Sequence, residues 1–168
     1  IGKLVNGEAV YYTGPLGNAR FDHTSAEARL RNWSSDRVLS GDVITEQNIH
    51  ALDVAAWIID ENPLEAYGKC GKKARGESVT CNSFWSVVFT FPQETLLSFC
   101  SKQCGEGWDD IGCRVFGAGG TIDTHYGGQV MIRGKTPYKG GQTGNIYTDG
   151  AAANIATFHD SIKSAKYE

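Results

Sequence analysis

What most constrains this chain is a run of short period-two segments behind one long helical stretch. Leu64 to Arg75, Phe84 to Phe91, Thr95 to Gln103, Gly112 to Phe116, Thr121 to Tyr126 and Gln129 to Arg133 are separated by Pro, Gly or Asn. Alternation throws successive side chains to opposite faces of a strand, and breakers this close leave no room for crossover helices, so an antiparallel meander is predicted. Lys3 to Thr13 reads as an earlier strand with Leu4, Val10 and Tyr12 as its apolar set. Between Ser40 and Asn62 the period becomes helical, with Ile49, Leu52, Ala56 and Ile59 on one stripe and Val54 and Ile58 on another. Ser40 or Asp42 caps its start and Asn62-Pro63 stops it. A last helix is expected from Thr148 or Asp149 to Lys166, with Ile155, Phe158 and Ile162 as its stripe. Gly14 to Arg37 reads as a long loop with one helical turn, and Gly134 to Gly144 as a flexible surface loop. The fold class is α+β: an open, mostly antiparallel β-sheet with helices packed on one face, in a single domain over residues 1–168.

The 168 residues carry a net charge of −3 and 16 scattered Lys and Arg, so no dense cationic face for phosphate backbones is visible and nucleic acid is not an expected partner. No apolar run approaches the roughly 18 to 20 residues that cross a bilayer, so no membrane partner is expected. Five cysteines, an odd number in a chain large enough to have a core, predict free and mostly buried thiols and a reducing, cytoplasmic setting. Cys100 and Cys104 stand on an alternating strand, where an offset of four separates side chains by about 13 Å, too far for a bridge. The chain opens on Ile1 without an initiator Met and enters a strand almost at once, which looks like a piece of something longer. If the second face of the sheet is as apolar as Trp85, Val87, Phe89, Phe91, Leu97 and Phe99 suggest, a second subunit or a further domain is its natural cover.

The central helix carries the chemistry. Glu46, His50, Asp53 and Trp57 fall at i, i+4, i+7 and i+11, which sets two acids, an imidazole and an indole along one face of an apolar helix. Polar groups there need partners or a wet cavity, and an acid within reach of His50 would orient the ring as a general base requires. A core histidine satisfied by a helix neighbour stands about level with that reading. Arg31, Asn32 and Trp33, with Arg29, offer guanidinium forks and an aromatic platform for an anion or sugar, against the plainer reading of a solvated loop. Gly117-Ala118-Gly119-Gly120 lies between two strands with no helix behind it and reads as a hairpin turn, not a phosphate loop. His125 and His159 show no convergent ligand spacing, so no metal site is expected.

Leu30-Arg31-Asn32-Trp33, Leu39-Ser40-Gly41-Asp42 and Glu46-Gln47-Asn48-Ile49-His50-Ala51-Leu52-Asp53-Val54-Ala55-Ala56-Trp57 together resemble the glucose-fructose oxidoreductase / inositol dehydrogenase (Gfo/Idh/MocA) family. Ile1-Gly2-Lys3-Leu4-Val5 is similar to the strand that begins that family's C-terminal domain, and Val115 to Ile122 to its hairpin near the end of the sheet. The resemblance implies the substrate-binding and oligomerisation half of an NAD(P)-dependent oxidoreductase acting on a sugar, polyol or related hydroxy compound. It makes His50 the catalytic residue that takes a hydroxyl proton while hydride leaves the same carbon, and Glu46, Arg31, Asn32 and Trp33 the substrate-binding residues. NAD or NADP would be held mainly by an N-terminal Rossmann domain absent from this chain. The dinucleotide fingerprint and the family's Glu-Lys-Pro motif are missing, so the chain alone is expected to be inactive, with no cofactor-binding residue of its own. The resemblance also implies a homo-oligomer formed through the sheet face. The rival from another class is a non-catalytic carbohydrate-binding or scaffold module.

Overall fold

The computed structural model describes residues 1–15, 25–142 and 144–165. Eight strands form one sheet: β1 (Leu4–Thr13), β2 (Glu65–Gly71), β3 (Phe84–Thr90), β4 (Leu96–Gln103), β5 (Asp110–Gly117), β6 (Gly120–His125), β7 (Gln129–Gly134) and β8 (Tyr138–Gln142). Their spatial order is β2-β3-β4-β1-β5-β6-β7-β8. β1 lies parallel to β4, Ala9 opposite Phe99, and antiparallel to β5, Ala9 opposite Cys113; every other pairing is antiparallel. The first strand thus splits the meander and becomes the floor of the core. Helices are α1 (Ala26–Arg31), α2 (Arg37–Ser40), α3 (Val43–Glu46), α4 (Ile49–Ile59) and α5 (Asp149–Ser164).

Packing follows from which face each strand turns to α4. Ala9, Tyr11, Val87, Leu97, Phe99, Cys113 and Val115 meet Ala51, Ala55 and Ile59 in the principal core. Small alanines let the helix sit close on Phe99 and Val115, both 0% exposed. A smaller cluster of Val43, Val79 and Cys81, with Trp85 against it, ties α3 to the loop between β2 and β3. Buried Asp42 fixes that junction, accepting from Val43 N at 2.7 Å and from Asn82 N at 2.9 Å.

Five expectations are corrected. In β1 the buried set is Ala9 and Tyr11; Val10 and Tyr12 alternate to the opposite, half-covered face. Trp85, Val87, Phe89, Leu97 and Phe99 all lie on the helix side, so they are core and give no reason to cover the second face. The stretch from Gly134 to Gly144 contains β8, paired with β7. Gly14 to Arg37 carries more than one turn: α1 and a 3-10 turn over Trp33–Ser35, although residues 16–24 lie outside the described ones. The single helix expected between Ser40 and Asn62 starts at the Asp42 cap as expected but is two pieces, α3 and α4, parted at Gln47 and Asn48.

The hairpin at Gly117 to Gly120 is as expected, with those two glycines paired. α5 forms where expected as far as the described residues reach, Lys166 lying outside them, but Ile155, Phe158 and Ile162 are 69%, 67% and 52% exposed. All five cysteines are free; Cys81 and Cys113 are buried, Cys70 exposed and the other two intermediate, so fewer are buried than expected. No helix among the described residues is long and apolar enough to cross a membrane.

Candidate functional site

The break between α3 and α4 decides what the helix face displays. Gln47 and Asn48 form an irregular step, and Asn48 sinks to 0% exposure while His50, Asp53 and Trp57 turn outward. Trp57 is 81% exposed and His50 is exposed. The imidazole is therefore not locked in the core. It rims a cavity of about 410 Å³ between α4 and β5 to β7, whose walls are chiefly Val54, Ile58, Ile111, Ile122, Val130 and Ile146.

Tyr126, just past the end of β6, faces the imidazole, with ring centroids 6.1 Å apart and planes tilted by 31°. Its hydroxyl titrates above the ordinary tyrosine range, by burial first and then by a hydrogen bond with Tyr147. Tyr11 lies on the same side, with its phenol pushed up to about 12 by burial first and then by Tyr126, Tyr147 and Glu46. Its Oη donates to Gln47 Oε1 at 2.7 Å, and Gln47 Nε2 donates to Glu46 Oε1 at 3.2 Å. Glu46 Oε2 is closed off from solvent without a hydrogen-bond partner. One acid, one imidazole and three phenols thus gather at one end of α4; His50 and Tyr126 border the cavity, while the Tyr11 hydroxyl is spent on Gln47.

Some of the expected residues do not join this cluster. Among the described residues neither Glu46 nor Asp53 hydrogen-bonds His50, so no acid orients its ring. Asp53 flanks an open depression running to Asp60, Glu61 and Asn62, and Trp57 borders both that depression and the cavity beside His50. Arg31 spends its fork on Glu27, at 3.0 and 2.9 Å, and Asn32 Nδ2 donates to Ala28 O at 3.1 Å. Trp33 is 47% exposed on the 3-10 turn. Among the described residues none of the three shares a hydrogen bond or ion pair with Glu46, Gln47, His50 or the tyrosines. Tyr11, Tyr126 and Tyr147 were not singled out in the sequence. Gln47 and Tyr11 sat in segments already read as helix and strand, and only the register that brings β1 under α4 joins them.

On the opposite face of the sheet, His125 Nδ1 meets Asp110 Oδ1 at 2.8 Å and its Nε2 meets Asp123 Oδ1 at 3.1 Å. Arg114 bridges Asp123 and Glu8 in the same network. Among the described residues no group of His, Cys, Asp and Glu has a metal-holding arrangement.

The pattern of the GFO/IDH/MocA C-terminal domain matches residues 7–123. The chain belongs to that family. No curated protein matches it in sequence. Among solved structures, this GFO/IDH/MocA C-terminal domain is similar to UDP-N-acetylglucosamine 3-dehydrogenase from Acidithiobacillus ferrooxidans, with TM-score 0.69 and 15% identity over 98% of this chain and 46% of the other. It is also similar to myo-inositol 2-dehydrogenase from Lactobacillus plantarum, with TM-score 0.65 and 14% identity over 99% of this chain and 48% of the other. A levoglucosan dehydrogenase solved with NADH and L-sorbose gives TM-score 0.64 and 13% identity over 86% of this chain and 40% of the other. The GFO/IDH/MocA C-terminal domain therefore spans about half the length of the solved relatives it matches, and the likeness establishes the shared fold.

Proposed function

We propose that this domain is the substrate-binding and oligomerisation half of an NAD(P)-dependent oxidoreductase acting on a sugar, polyol or related hydroxy compound, with a Rossmann domain preceding it in the complete protein. The observation that carries this reading is His50: an exposed imidazole at the mouth of a cavity, with Glu46 and three tyrosines around the same end of α4. His50 accepts the hydroxyl proton as the carbinol carbon gives up hydride. Glu46 accepts a hydrogen bond from a neighbouring substrate hydroxyl, and Arg31, Asn32 and Trp33 are kept as substrate-binding residues on the family resemblance alone. NAD or NADP supplies the hydride acceptor and is held mainly by the preceding domain, so the isolated chain is inactive. A polarised alcohol cannot lose hydride without loss of its proton, and a positioned base contributes about 10² to 10⁴ in rate.

Oligomerisation through the sheet is supported by the open face, where Tyr67, Val88 and Leu96 are exposed on neighbouring strands. A cytoplasmic setting is supported by the five free thiols. The second reading, a non-catalytic carbohydrate-binding module, is favoured by one observation: the His50 ring has no orienting hydrogen bond among the described residues.

The complete protein is to be assayed for reduction of NAD⁺ and NADP⁺ with myo-inositol, levoglucosan, L-sorbose and UDP-N-acetylglucosamine. Turnover of at least one supports the dehydrogenase. Tryptophan fluorescence shifts on titration with these compounds, without cofactor reduction, identify the binding module instead.

A further inference from the structure

Glu46 receives a single side-chain hydrogen bond among the described residues, from Gln47 Nε2. Its Oε2 is shut off from solvent without a partner, so among the described residues the Gln47 amide is the one side-chain hydrogen bond that orients the carboxylate. An ionised carboxylate only accepts, so the Gln47 amide must turn its NH₂ toward Glu46 and its oxygen away. That oxygen also only accepts, and the group facing it, 2.7 Å distant, is the Tyr11 hydroxyl, which must therefore donate. The charge on Glu46 gives the chain one direction: phenol to amide to carboxylate.

The anchor lies within the sheet while the middle lies between two helices. Tyr11 is 5% exposed and sits in β1 between Ser101 of β4 and Ile111 of β5, bonded into the sheet on both sides. Gln47 occupies the irregular step between α3 and α4, with φ −115° and ψ −51°. The relay thus ties the joint that carries Glu46 to the centre of the sheet. Tyr11 keeps its proton throughout the ordinary pH range, since burial pushes its phenol up to about 12.

We propose that Tyr11 is a positioning residue that acts through Gln47 to hold the Glu46 carboxylate in the orientation that binds a substrate hydroxyl. This rests on the assignment of Glu46 to substrate binding. Tyr11 does not touch the reacting carbon, so its loss acts on substrate affinity more than on the chemical step.

The test uses the complete protein and whichever of myo-inositol, levoglucosan, L-sorbose or UDP-N-acetylglucosamine gives the highest kcat/KM. Tyr11→Phe keeps the ring and removes the donor; it raises KM for that compound about 5- to 20-fold with less than about a 3-fold fall in kcat and no change in KM for the nicotinamide cofactor. In a Glu46→Gln background the same substitution adds less than about 2-fold, because the charge that polarises the chain is gone. A KM unchanged in Tyr11→Phe, or raised by the same factor in both backgrounds, overturns the relay. Should Tyr11→Phe fail to fold, Gln47→Leu breaks the same link and carries the same expected rise in KM, and an unchanged KM overturns the proposal equally. Failure of the underlying reading looks different: Glu46→Gln alone then leaves KM unchanged, whereas failure of the relay leaves Glu46→Gln raising KM and Tyr11→Phe without effect.

Discussion

Asp36 holds together the start of the helical segment. Its side chain accepts from Arg29 Nε at 2.7 Å, Val38 N at 2.9 Å and Leu39 N at 3.3 Å, and is 4% exposed. Arg29 and these two amides hold its carboxyl below the usual carboxylate range, against the opposing effect of burial. The bonds need the ionised form, so their stabilisation is complete above the unfolded-state pKa of about 4 and is lost as pH falls through the lower folded-state value. Asp36→Ala is expected to lower stability by about 1 kcal/mol at neutral pH, the usual worth of a helix cap. Urea melts check this, and the difference between variant and parent shrinks as pH falls below about 4; a difference undiminished in acid contradicts the assignment. At this scale the sequence was partly legible. The spacing of Glu46 and His50 was plain, but it left the core and a cavity evenly matched as places for the imidazole. Asp36 and Tyr11 were not legible as anchors, because their partners lie at or beyond an irregular joint that no periodicity encodes.

Among the elements, the strands were the most readable and the faces the least. Alternation located β3 to β7 closely, since Pro and Gly mark their ends. It does not say which of two faces is buried, and aromatic residues at Phe84, Trp85 and Phe89 gave both faces of β3 an apolar look. Pairing settles it: Trp85, Val87 and Phe89 share the row of Ser101, Phe99 and Leu97 beneath α4. Phe99→Ala is expected to cost about 3 to 5 kcal/mol by leaving a cavity under Ala51 and Ala55, whereas Val88→Ala on the open face changes stability by less than about 1 kcal/mol. Chemical denaturation of the two variants checks the assignment of faces; equal losses contradict it. β8 escaped notice because Tyr138-Lys139-Gly140-Gly141-Gln142 has neither β-branched residues nor alternation, and pairing to β7 alone makes it a strand.

Among the described residues, exposed apolar side chains line up in two places of interest for assembly. One is the stripe of α5, and the other is the row of Tyr67, Val88 and Leu96 on the open face. If the open face joins two copies, Val88→Asp places an unpaired charge in that contact and lowers the sedimentation coefficient of the complete protein toward the monomer value, with the thermal melt of the monomer little changed. An unaltered oligomer places the contact elsewhere. The fold itself was legible as an open sheet with helices on one side because strand spacing excludes crossover helices, but the insertion of β1 between β4 and β5 was not, since nothing local in Lys3 to Thr13 names its neighbours. The central claim is that the exposed imidazole on α4 takes a proton from substrate. Its most direct measurement is steady-state turnover of the complete protein bearing His50→Ala, with binding of substrate followed separately through Trp57 fluorescence. A fall in kcat of about two orders of magnitude or more with binding retained is the predicted result; near-normal turnover would remove His50 from the chemistry.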